Sequence, residues 1–69
     1  MLEIEIRFGK RIRELRQARH ISQEELAFRC QLSKNYISDV ERGKRNVSLK
    51  AIEKIALGLE VEIYELFLF

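Results

Sequence analysis

Proline is absent from this chain, and glycine occurs only three times, as Gly9, Gly43 and Gly58. That scarcity argues against a strand-and-turn sandwich and against a disordered tail, and favours a compact helical domain. Cysteine is reduced to Cys30 and histidine to His20. One thiol excludes an internal disulfide, and the pair together cannot make a tetrahedral zinc site, so no metal is expected. Cys30 reads as a small core filler. No apolar run approaches membrane-spanning length, and the acidic N-terminus has no long apolar core. No membrane segment or signal peptide is therefore read, and the expected compartment is the cytoplasm. No nucleophile–base set or phosphate-cradling glycine loop is present, so neither an enzyme nor a cofactor or small-molecule site is expected.

The chain has 69 residues, enough for one small domain. A domain of this size is marginally stable alone, and oligomerisation would help it. Its net charge of +2 hides an asymmetry. Residues 7 to 50 carry 12 Lys/Arg against 5 Asp/Glu, a balance of +7, while residues 1 to 6 carry −2 and residues 51 to 69 carry −3. The basic middle has the form of a footprint for phosphate.

Five helical segments are predicted. The first runs from about Ile4 to Arg19, with Ile4, Phe8, Ile12 and Leu15 on one apolar face. The second starts at the N-cap Ser22, with Glu25 completing a capping box and Ile21 and Leu26 at the positions of a hydrophobic staple. Its inward residues are Leu26, Ala27 and Cys30. The third starts at the cap Ser33, buries Ile37 and Val40, and stops at Gly43. Ser48 caps the fourth, whose face is Leu49, Ile52, Ala56 and Leu59 with Ile55 alongside. Gly58 weakens that helix by about 1 kcal/mol relative to alanine. A short fifth helix spans about Glu62 to Phe67. The second and third segments, about residues 22–42, have the spacing of a helix–turn–helix, whose second helix can lie in the DNA major groove.

On that reading, the N-terminus of the second helix offers the backbone N–H of Gln23 to a phosphate, and the Gln23 side chain can add a phosphate or base contact. Lys34, Asn35, Ser38 and Asp39 share the exposed face of the third helix. Lysine can donate to guanine O6/N7, asparagine can pair with adenine N6/N7, and an aspartate can accept from cytosine N4 or simply repel phosphate. Ser33 and Tyr36 can add backbone contacts. Arg42, Lys44, Arg45 and Asn46 follow the helix and are placed to meet phosphates beside the groove. The C-terminal segment, about residues 61–69, carries more large apolar groups than one small core absorbs. Leu66 is assigned to the core, and Ile63, Tyr64, Phe67 and Phe69 to a dimer interface.

The residues Arg16, Ser22-Gln23-x-x-Leu26-Ala27, Ser33-x-x-Tyr36-Ile37-Ser38-x-x-Glu41-Arg42-Gly43-Lys44-Arg45-Asn46 and Ile55-Ala56-x-x-Leu59-x-Val61, followed by Leu66-Phe67, carry a resemblance. Over nearly its full length the chain resembles the Cro/C1-type (XRE) helix–turn–helix regulators. The tract from Tyr36 to Asn46, with Gly58-Leu59-Glu60-Val61, is most like the small controller proteins of restriction–modification systems. The resemblance implies an all-α, five-helix, lambda-repressor-like domain covering residues 1–69. It also implies a pair between Arg16 and Glu41 that ties helix one to helix three, with Arg16 also able to reach phosphate. Departures are Gln31 and Glu60 where glycine is usual, and Val47 where proline is. The function implied is a homodimeric regulator that binds a near-palindromic operator and autoregulates a restriction–modification operon, repressing by occlusion or activating by touching RNA polymerase. Alternatives are a phage-type repressor and an antitoxin that binds both its toxin and its own promoter.

Overall fold

The structure is a computed structural model and describes residues 3–69. Four α-helices follow one another: α1 (Ile4–Ala18), α2 (Gln23–Cys30), α3 (Lys34–Glu41) and α4 (Leu49–Leu59). The expected fifth helix is instead a single 3-10 turn, Ile63–Phe67. No strand occurs among the described residues. The 3-10 form suits so short a segment, whose five residues are anchored by the fully buried Leu66.

Three serines set three of the helix starts. Ser22, Ser33 and Ser48 have extended backbones, and their hydroxyls accept from the N–H groups of Glu25, Tyr36 and Ala51 at 3.0, 3.0 and 3.1 Å. Each bond satisfies a donor that the first helical turn leaves unpaired. The reciprocal half of the box expected at Ser22 does not form. Glu25 turns forward instead and accepts from Arg29 Nε at 2.9 Å, one turn along the helix. The reciprocal box is found at the 3-10 turn, between Glu62 and Glu65.

Each α-helix is followed by a residue in the left-handed region. These are His20 (φ 57°), Gln31 (φ 57°), Gly43 (φ 75°) and Glu60 (φ 59°). Only one of the four is glycine, so three side chains bear a strain of about 1 kcal/mol or more each.

Helix α2 packs on α4 and α3, α1 packs on α3, and the 3-10 turn closes the gap between α1 and α4. The core comprises Phe8, Ile12, Leu26, Ala27, Cys30, Ile37, Val40, Ile55, Ala56, Leu59 and Leu66. Leu15, Ile21 and Ile52 pack against its edge. Ile4 and Leu49, expected on apolar faces, are exposed. Each is the first residue of its helix, ahead of the first buried residue, Phe8 in α1 and Ala51 in α4. Gly58 has a role that helix propensity does not show. A Cβ there would overlap Cys30 Sγ, so the missing methyl lets α4 lie directly on α2. Gly9 does the same for α1, where a Cβ would overlap the carbonyl oxygen of Val40 at the end of α3.

Candidate nucleic-acid interface

The outward surface of the helix–turn–helix is built on an inner tie. Arg16 of α1 grips Glu41 of α3 with two bonds, Nε to Oε2 at 2.6 Å and Nη2 to Oε1 at 3.1 Å. Its Nη1 also donates to the carbonyl oxygen of Ile21 at 2.9 Å, at the turn before α2. The side chains are only 12% and 3% exposed. Gln23, the first residue of α2, donates through Nε2 to Glu41 Oε1 at 3.0 Å. One carboxylate thereby joins three helices. A charge so buried is stable only when paired and hydrogen-bonded, and this one has three donor bonds.

The Arg16–Glu41 pair is thus where it was expected. Two of the neighbouring expectations need revision. Arg16 is bonded to protein through Nε and both terminal nitrogens and has little exposed edge left for a phosphate. The side-chain amide of Gln23 is engaged by Glu41, so what α2 offers a phosphate is its backbone N–H. Nothing in the sequence spacing marked Gln23 as a partner of Glu41. The contact depends on how α2 and α3 cross.

Helix α3 divides its residues by face. Ile37 and Val40 are buried, while Lys34 and Asn35 stand exposed on the first turn and Ser38 and Asp39 are half-buried on the second. Lys34 makes no ion pair among the described residues. Its ammonium and the Asn35 amide are exposed at the end of α3 that a recognition helix presents to bases. The Ser33 hydroxyl is occupied as a cap acceptor, leaving its proton to donate outward.

The basic loop after α3 folds back on the helix. The Lys44 N–H donates to the Asp39 carbonyl oxygen at 2.9 Å. The Arg45 guanidinium lies over the Tyr36 ring, 4.7 Å from its centroid. Arg42 Nη2 reaches Asp39 Oδ1 at 2.6 Å, and Arg45 Nε lies 3.5 Å from Oδ2. Lys44, Arg45 and Asn46 are exposed. Arg42 and the loop therefore form a polar, mainly cationic surface beyond the end of α3, with Lys34 and Asn35 exposed at its start. Asp39 lies among these cations, its carboxylate paired with Arg42 and Arg45.

The four residues assigned to a partner surface, Ile63, Tyr64, Phe67 and Phe69, are all exposed. Phe67 is held from one side by Phe8, with ring centroids 5.1 Å apart, and Phe69 carries the Arg7 guanidinium 4.7 Å from its centroid. The apolar surface is wider than the tail. Leu49 and Ile63 line one depression with Ile52, while Ile4, Phe8, Val47 and Phe67 line another that also includes Ile52. Leu49 and Ile4 belong to this surface. The position of Leu49 immediately after the cap Ser48 was the available signal, since a first helical residue often lies outside the core. Arg45 and Asn46 line the second depression, so the basic loop borders the apolar face.

A family model described as Helix-turn-helix matches residues 12–66. Control protein C.BamHI of Bacillus amyloliquefaciens is 52% identical over 60 residues, 86% of this chain and 74% of that protein. Control protein C.MunI of Mycoplasma sp is 46% identical over 68 residues, 97% of this chain and 92% of that protein. Among solved structures, the restriction-modification controller protein C.AhdI from Aeromonas hydrophila matches with a TM-score of 0.90 at 52% identity, covering 91% of each chain.

Proposed function

The chain belongs to the Cro/C1-type helix–turn–helix family of DNA-binding transcription regulators, and from that premise we propose that it is a sequence-specific regulator acting as a homodimer on a near-palindromic operator. The observation that carries the reading is the presentation of Lys34 and Asn35. They occupy the outward first turn of α3, and Glu41 clamps that helix to both α1 and α2. A helix so held can place side chains against base edges in a fixed register. Gln23, through its backbone N–H, and Ser33, Tyr36, Arg42, Lys44, Arg45 and Asn46 then supply phosphate contacts, which position the domain without reading sequence.

The apolar surface around Ile52 supports the dimer. A two-fold axis there sets two recognition helices about 34 Å apart, one turn of DNA. It also brings both basic loops toward the centre of the operator. The relatives named as control proteins support autoregulation of a restriction–modification operon.

Selection of bound sequences from random duplex, followed by footprinting, tests the reading. A two-fold-related pair of half-sites is expected. On that operator Lys34→Ala should cost about 1–3 kcal/mol and relax preference at one base position. An equal loss on random DNA would show that Lys34 touches only phosphate.

A further inference from the structure

We propose that Asp39 is a latch on the recognition surface that reads no base and raises specificity by restraining Arg42 and Arg45. The inference rests on the regulator reading above. Both carboxylate oxygens are occupied: Oδ1 by Arg42 at 2.6 Å and Oδ2 by Arg45 at 3.5 Å. The Asp39 side chain is 29% exposed, against 57% and 47% for the two arginines. The anion is thus less open to solvent than the cations it holds. A cytosine amino group would have to compete with two guanidinium groups for it.

The same residue fixes the loop through its backbone, where its carbonyl oxygen accepts from the Lys44 N–H at 2.9 Å. Stacking of Arg45 on Tyr36 completes the clasp. Two of the cations nearest the recognition helix therefore have a partner before DNA arrives. Any phosphate must compete with Asp39 for them. On the operator, base contacts from Lys34 and Asn35 hold α3, so the two arginines stay partly on Asp39. Random DNA is bound through phosphates alone, so both arginines must leave Asp39. The latch therefore weakens random binding more than operator binding, and the ratio of the two rises.

Asp39→Asn keeps the shape and removes the charge. Fluorescence anisotropy on random duplex and on the selected operator, across a salt series, reads the result. Random-duplex affinity should rise about 3- to 10-fold, from the release of two partly exposed ion pairs. The salt dependence should steepen by about one to two units, one for each guanidinium freed for phosphate. Operator affinity should gain less, with base preferences unchanged. In an Arg42→Ala/Arg45→Ala background the gain should vanish, and Glu24→Gln, an equal charge change on α2, should give little. Unchanged random-duplex affinity in Asp39→Asn overturns the proposal. So does a gain matched by Glu24→Gln, or an operator-only loss with one relaxed base position. The random-duplex arm is read whether or not an operator is found, so a wild-type protein without sequence preference refutes the regulator reading separately.

Discussion

Arg16 and Glu41 hold the orientation of α3, and the cost of separating them follows from their burial. Removing one partner leaves the other charge in a site with almost no water. The expected loss is about 3–5 kcal/mol. Arg16→Ala should therefore lower the urea midpoint sharply while leaving the slope of the transition unchanged. Arg16→Lys should recover only part of the loss, because an ammonium cannot make the two parallel bonds of the guanidinium fork. Cys30 is the other residue whose surroundings decide its chemistry. Burial pushes its thiol from 9.0 up to about 11, with a backbone bond from Gly58 pulling slightly the other way. The thiolate is the reactive form, so at pH 8 the folded protein should resist alkylation and react only as it unfolds. The folded state also holds this proton more tightly than the unfolded chain. Its contribution to stability is thus complete below the unfolded value of 9.0 and is lost as pH rises through about 11. Equal alkylation rates with and without urea would contradict this account.

At the scale of the helices, starts were more legible than ends. Ser22, Ser33 and Ser48 announce α2, α3 and α4 because capping is a local transaction between a hydroxyl and an N–H three residues on. The ends at His20, Gln31 and Glu60 carry no glycine, since packing imposes their left-handed turns against local preference. Gly58 shows the same division. Its propensity cost is visible in the sequence, but its use depends on the helix it meets. Gly58→Ala should destabilise by about 1–3 kcal/mol, because the new methyl enters the space of Cys30 Sγ. Shortening the neighbour should relieve part of this. Gly58→Ala/Cys30→Ala should lose less than the sum of its two single changes, and thermal or urea unfolding of all four proteins measures the difference. Strict additivity would place the strain elsewhere.

At the scale of the whole molecule, a polar reading surface borders an apolar face on which a second copy can be seated. The exposure of Lys34 and Asn35 was legible because both fall outside the buried stripe of Ile37 and Val40, which periodicity reveals. The engagement of Asp39 was not legible, because it depends on a loop folding back. The apolar face was legible in part: its tail residues were surplus to one small core, but Leu49 and Ile4 looked like core. Leu49 is 85% exposed, so Leu49→Glu should cost the monomer little. It should shift sedimentation toward a single domain and lower operator affinity through lost pairing. Retained dimers at micromolar concentration would move the interface away from α4. The division of labour within α3 has a further consequence. Ser33, Ile37, Val40 and Glu41 hold the helix in place, whereas the side chains of Lys34 and Asn35 are exposed and make no hydrogen bond or ion pair among the described residues. On the proposed function, the scaffold and the address are separate sets of residues on α3 and its cap. Such a molecule can be readdressed, by inheritance or by design, through exchange of the outer letters alone while the protein that carries them still folds.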